Sequence, residues 1–268
     1  MKAAETAARQ CHDVILIERR TRTGGQLRIA AKIKGRGEIA GVVDHLDVMI
    51  QKYGVDLRLG WSPTATEVMA LDPYHVIVAT GSAPGADIVG NLAKGLATTP
   101  GLDQDHVLSV WDVLEKEAPV GKHVLVVDDG EGGWKGIGLA LQLQADGHDV
   151  DLVTPLPYVG AKLGPFSANL AVPRIQQSGM MTHPFTTITA VDGRTVHTTE
   201  QGKRAAIIGV DTVVLAGWHR PVNDLYFALK SQGVSVARVG DAIASRTMME
   251  AVHEGERAAR RIPAHAHP

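Results

Sequence analysis

The 268-residue chain predicts an α/β fold of two parallel-sheet units, the second inserted in the first. Three observations carry that prediction. Strands are predicted at 14–18, 75–79, 123–127 and 211–216, on continuous apolar runs at 14–17, 76–79, 124–127 and 213–216. They lack the in-and-out alternation of a half-exposed strand and suit parallel strands covered on both faces. Segments of helical period alternate with them. The order is strand–helix–strand within the first 80 residues, a second such unit from 123, and a strand and helix at the end. A split outer domain of 1–105 and 209–268 around an inner domain of 106–208 fits this order better than two tandem domains.

Each element follows from its residues. Residues 1–12 are rich in Ala, Glu and Arg without a breaker and predict a helix. The run 14–18 is a strand closed by Glu18, and 23–27 reads as a loop. Ile39, Val42, Val43, Leu46, Met49, Ile50 and Tyr53 mark one helical stripe that Gly54 stops. Strands follow at 55–59 and 75–79. Residues 82–106, rich in Gly, Pro, Asp and Thr, read as a linker, and 110–117 as a short helix. From His123 the pattern is strand, glycine-rich turn at 130–138, helix to Ala145, and strand at 150–153. A helix over 167–178 precedes short strands near 187–191, 194–199 and 205–208. Asp192-Gly193 between two of them is a hairpin signal. The strand at 211–216, a helix at 223–231, a strand at 234–239 and a helix at 247–262 complete the chain.

Composition excludes several classes. Apolar residues make up 44%, enough for real cores, while aromatics are only 4%. A formal charge of −2, with both signs interspersed, offers no basic face for nucleic acid. No apolar run approaches the ~18–20 residues of a membrane span, and the first residues do not resemble a signal peptide. The single cysteine, Cys11, cannot form an internal disulfide, an iron–sulfur site or a redox pair. These points place the chain in the cytoplasm. The histidines show no metal spacing, so no metal is expected.

The motifs lie at strand ends. Gly130, Gly132 and Gly136 fall in a turn fed by a strand and left by a helix. There glycines let the backbone approach a pyrophosphate at the helix N-terminus. The alternative is a turn that only packs helix on strand. Asp128 and Asp129 at the strand exit disfavour phosphate, and the next strand ends Val153-Thr154 without the usual ribose-binding acid. ADP or NADP(H) is therefore favoured over NAD(H). Glu18 stands where such a fold holds a ribose, or it is a solvated acid paired with Arg19 or Arg20. Ala79-Thr80-Gly81 and Gly240-Asp241-Ala242 each follow a buried strand, at the end where open α/β sheets bind ligands. The expected architecture is thus two Rossmann-like dinucleotide-binding domains.

Residues 1–27, 76–84, 123–154 and 238–259 together resemble the C-terminal half of the old-yellow-enzyme-related flavoproteins. That family includes 2,4-dienoyl-CoA reductase and trimethylamine dehydrogenase, and the resemblance covers almost the whole chain. It implies FAD in the outer domain and ADP or NADP(H) in the inner one. It assigns Glu18, with Arg19, to the ribose, and Gly25, Gln26 and Leu27 to the loop over the cofactor. Ala79, Thr80 and Gly81 fall near the flavin nucleotide, and Gly240, Asp241 and Ala242 at its ribityl–pyrophosphate region. Family members carry a strand and a glycine turn just before the stretch matching Met1, so the chain is expected to be N-terminally truncated. They also carry a barrel with FMN and an iron–sulfur cluster, which becomes the expected partner.

The implied activity is an oxidoreductase module that passes electrons or hydride between a nucleotide cofactor and a partner flavin. No side chain of its own is expected to be catalytic. An ADP-binding assembly module and an inactive fragment are the alternatives. The stretch 218–221 either touches a cofactor or is a structural loop.

Overall fold

The computed structural model describes residues 1–85, 87–88 and 98–262. Part of the expected linker, residue 86 and residues 89–97, therefore lies outside the described residues. Lys2–Arg9 (α1) is a helix with Glu5 in its first turn and Arg9 in its last. It ends before the expected residue 12, because Cys11 adopts a φ of 63°. Ile15–Glu18 (β1) follows and runs parallel to Asp56–Leu59 (β2), with Glu18 opposite Leu59. Between them lie Gln26–Ala30 (α2) and Ala40–Lys52 (α3). The loop expected over 23–27 is thus half helix, begun by Gly25 with a φ of 48°.

Ala65–Met69 (α4) was not expected from the sequence. Its start is fixed by a capping box, in which Thr64 and Glu67 each bond the other's backbone N–H. Val76–Val78 (β3) and Ser82–Pro84 (β4) come next, the latter inside the stretch expected as a linker.

The chain then builds a second sheet. Val107–Ser109 (β5) leads into Val110–Leu114 (α5), capped by Ser109 and Asp112. His123–Val127 (β6), Trp134–Ala145 (α6) and Asp149–Val153 (β7) form the expected strand-turn-helix-strand. Pro165–Ser178 (α7) and Met181–His183 (β8) extend it. Thr186–Asp192 (β9), Thr195–Glu200 (β10) and Lys203–Ile208 (β11) make an antiparallel sheet, turning at Gly193. Thr212–Leu215 (β12) returns between β5 and β6 in a parallel sheet of order β5-β12-β6-β7-β8. Leu125, Val127, Val153, Ile188, Val196 and Val213 fill one core beneath it.

His219–Pro221 (β13) pairs with β4. Asp224–Ser231 (α8), then Val236–Arg238 (β14) parallel to β3, lead to Met248–Arg260 (α9). A capping box of Thr247 and Glu250 starts this last helix.

Two compact units result. One comprises Met1–Ala31, Arg36–Ala83 and the chain from His219 on; the other comprises Lys32–Gly35 and Pro84–Trp218. The sequence placed these divisions at 106 and 209. Two contacts move them outward: Ile88 packs in the β6–β7 core, and β12 is hydrogen-bonded between β5 and β6. The α/β parallel-sheet fold itself agrees with the sequence expectation.

Candidate functional site

In the first unit, strand ends bring distant residues together. Val239 N–H bonds Val78 O at 3.0 Å, which sets Gly240 and Asp241 beside the turn Ala79-Thr80-Gly81. The carboxylate of Asp241 accepts from Ser82 Oγ at 2.8 Å, Gln26 Nε2 at 3.2 Å and Arg246 N–H at 3.1 Å. Gln26 Nε2 also reaches Ser82 Oγ at 2.9 Å, and Gln26 Oε1 lies 3.0 Å from His219 Nδ1. Gly240 N–H donates to Glu254 at 2.8 Å. The turn is tied to the return strand as well: Val222 N–H bonds Gly81 O at 2.9 Å and Thr80 Oγ1 donates to Val222 O.

This knot is polar and buried at Ser82, with each Asp241 oxygen accepting a hydrogen bond. Beside it the backbone is open. A Cβ on Gly25 would meet nothing within 4 Å, and one on Gly81 only Gln26 Nε2 at 3.8 Å. Both glycines have positive φ, 48° and 75°, so an L side chain would be strained by conformation and not by crowding.

Of the expected site residues, Gln26, Gly81, Gly240 and Asp241 meet here. Ala242 is fully buried and packs inside the unit, while Ala79 and Thr80 are exposed. Leu27 is half-buried. Glu18 lies apart, its carboxylate accepting from Arg20 N–H at 2.8 Å, and Arg19 is exposed. The terminal amine of Met1 is buried beside Glu18 and Asp47; burial pushes its pKa down and the two carboxylates oppose that shift. Ser82 lies in the family-like stretch 76–84 and His219 in the stretch 218–221 that either touches a cofactor or is a structural loop, but neither was assigned a role by itself; pairing of β4 with β13 accompanies their approach to Gln26.

The glycine-rich turn of the second unit is built differently. Gly132 N–H bonds Asp128 Oδ1 at 2.9 Å, and Gly133 N–H bonds Glu131 Oε2 at 3.0 Å. Asp128 Oδ2 accepts from Thr154 Oγ1 at 2.9 Å. Lys162 Nζ donates to Gly130 O at 2.5 Å and Lys135 Nζ to Gly217 O at 2.6 Å. Trp218 Nε1 donates to Asp129 O at 3.0 Å. A Cβ on Gly132 would stand 2.7 Å from Leu156 Cδ1, one on Gly136 3.2 Å from Ala216 Cβ, and one on Gly138 2.8 Å from Ile33 Cγ2.

One further polar cluster ties strands together. His123 Nε2 lies 2.6 Å and His183 Nε2 3.0 Å from opposite oxygens of Asp151, joining β6, β7 and β8. Burial pushes the Asp151 carboxyl up, but hydrogen bonds from His183 and His123 outweigh it and hold its pKa below the ordinary value. Among the described residues no group of three or more His, Cys, Asp or Glu could hold a metal ion. Among the same residues no helix is long and apolar enough to cross a membrane.

Residues 1–252 match the family model described as pyridine nucleotide-disulphide oxidoreductase. The chain belongs to this family. It is 31% identical over 256 residues to the NADH oxidase of Thermoanaerobacter brockii, covering 95% of this chain and 38% of that protein. It is 30% identical to the N,N-dimethylglycine/sarcosine dehydrogenase of Chromohalobacter salexigens, covering 89% of this chain and 34% of that one. The histamine dehydrogenase of Rhizobium sp. 4-9 superposes with a TM-score of 0.88 at 26% identity, covering 98% of this chain and 42% of that one. The chain thus spans about two fifths of the longer flavoproteins it matches, in keeping with the resemblance drawn from its motifs. It is a nucleotide-binding oxidoreductase module of the FAD/NAD(P) type. The disulphide chemistry in the family's description needs two thiols, and this chain has one, Cys11, which is exposed.

Proposed function

We propose that the chain is an electron-transfer module that holds FAD in its first unit and exchanges electrons with a partner flavin domain. The observation that supports this most is the knot of Gln26, Ser82, His219 and Asp241 beside the open glycines 25 and 81. A flavin nucleotide needs backbone approach at its phosphates and fixed hydrogen-bond partners along its polyol, and the residues present fit both needs. Gly25 and Gly81 leave room for the backbone approach. Asp241, Gln26 and the Ala79–Gly81 turn offer the polar contacts, and Ala242 packs behind them. Glu18, flanked by Arg19, stands at the end of β1 where a ribose would be held, and Leu27 gives an apolar contact beside Gln26.

FAD, when bound, supplies the redox chemistry; the chain's part is to position it and shield it from water. Ser82 Oγ lies 3.4 Å from His219 Nδ1, but its proton is given to Asp241 at 2.8 Å and Gln26 Nε2 donates to it at 2.9 Å, so no group of the chain is assigned a catalytic step. The partner is proposed to be an FMN-binding barrel with an iron–sulfur cluster; what supports a partner domain is that this chain covers only 38% and 42% of two longer relatives. The lone exposed thiol is compatible with a reducing compartment, and the cytoplasm is the proposed location.

Purified full chain incubated with FAD and passed through gel filtration tests the reading. Co-eluting flavin absorbance near one FAD per chain, with a raised melting temperature, is the expected result. Colourless protein with an unchanged melt would overturn it.

A further inference from the structure

The second glycine turn has the position of a phosphate cradle but not its chemistry. An anion-binding turn offers unpaired N–H groups and the positive end of a helix. Here two of those N–H groups already have anionic partners from the chain itself: Gly132 N–H bonds Asp128, and Gly133 N–H bonds Glu131. Asp128 is not a mobile side chain that a ligand could push aside. It is 5% exposed, and its other oxygen is held by Thr154, which is wholly buried. Asp129, next in sequence, is equally buried.

The volume is taken too. The faces of Gly132 and Gly138 that a bare backbone would present are covered by Leu156 and Ile33. The two lysines beside the turn, Lys135 and Lys162, direct their ammonium groups to the carbonyls of Gly217 and Gly130. The residue after β7, where a nucleotide-binding unit keeps an acid for the ribose, is Thr154, whose hydroxyl is donated to Asp128.

We propose that the Asp128 carboxylate, with Glu131, is the built-in anion of this turn, so that the second unit takes no pyridine-nucleotide or ADP phosphate there. The glycines at 132, 136 and 138 are packing glycines that let α6 lie close on the sheet. Electrons then enter the module from its partner and not from a dinucleotide at this turn. The inference concerns the second unit alone and stands whether or not FAD occupies the first.

The test reads the turn directly. Full-length chain, labelled with ¹⁵N-glycine and saturated with FAD, is titrated with ADP and separately with NADPH, following the Gly132 and Gly133 amide signals. In the unsubstituted chain both signals stay in place up to about 1 mM nucleotide. In Asp128→Ala/Glu131→Ala the freed amides respond to ADP at least about tenfold more strongly. If the double variant does not fold, Glu131→Ala with the Gly133 signal is judged by the same criterion. Saturable movement of either signal in the unsubstituted chain overturns the proposal. So does a folded variant that responds no better, because the carboxylates would then not be what closes the turn.

Discussion

The two units contain strands of nearly equal apolar character, yet they differ in what covers them. In β6, flanked by β7 and β12, Leu125 and Val126 are 0% exposed. In β1, which pairs with β2 alone among the described strands, Ile15 is 41% exposed. A parallel strand needs a neighbour on each edge and a layer on each face. The second unit provides these within one five-stranded sheet, whereas the parallel strands of the first fall into two separate pairs, β1–β2 and β3–β14, beside the short pair β4–β13. The glycines differ in the opposite sense: Gly25 and Gly81 face open space, and Gly132 and Gly138 are covered by side chains. The glycine turn of the second unit is filled by the chain's own groups, whereas Gly25 and Gly81 of the first stand open beside a polar knot.

The largest expected effect tests the strands. Leu125→Ala removes a fully buried side chain and should cost about 2–5 kcal/mol in urea unfolding. Ile15→Ala should cost less than about 1 kcal/mol, since much of that side chain already meets water. Equal losses would break the comparison and mean that β1 is covered in solution.

Next come the glycines. Gly132→Ala combines a φ of 65° with a Cβ 2.7 Å from Leu156, for an expected cost of about 1–3 kcal/mol and no change in FAD retention. Gly25→Ala bears only the conformational penalty of its φ of 48° and ψ of −124°, about 1–3 kcal/mol, but should weaken FAD retention on gel filtration. The reverse pattern of flavin loss would exchange the roles assigned to the two turns.

Asp241→Ala leaves Ser82 and Gln26 without their shared acceptor. It should destabilise the first unit by about 1–2 kcal/mol in a thermal melt and lower FAD affinity as well. Retained affinity would remove Asp241 from the proposed site.

The smallest effect is one of pH. The folded-state pKa of Asp151 is depressed, so its contribution is present above the unfolded value of about 3.9 and is lost as pH falls through the folded value. Acid titration of unfolding should show this loss in the unsubstituted chain and a smaller one in His123→Ala/His183→Ala. An identical acid limb in the double variant would dismiss the clamp on β6–β8.

Sequence reasoning reached the long elements and stopped at the short ones. The runs of β1, β6 and β12 and the stripe of α3 are patterns that burial itself imposes, so they can be read. The helix α4 has five residues, too few to show a period, although Thr64-x-x-Glu67 was readable as a cap; α5, equally short, was expected within 110–117. The polar strand His219–Pro221 carries no alternation and exists only through its pairing with β4. In the candidate site, Gln26, Gly81 and Asp241 stood in glycine-bearing turns at strand ends, which carry a local signal. Ser82 and His219 did not, because their place depends on two crossings of the chain. At the second turn, Asp128 was legible as a poor neighbour for phosphate. That it bonds the Gly132 amide depends on how the turn folds back, which the residue order does not specify.

The knot around Gln26 also sets a timetable for the cell. Gln26 and Asp241 are 215 residues apart, with all of Pro84–Trp218 synthesised between them. A ribosome working at about 5–20 residues per second needs roughly ten seconds to pass that insertion. During that interval the inserted unit has nearly all it needs to fold, while β1 and β3 are out of the tunnel without β14 or Asp241. The first unit's early residues therefore stay without those partners until the chain beyond Trp218 has been made.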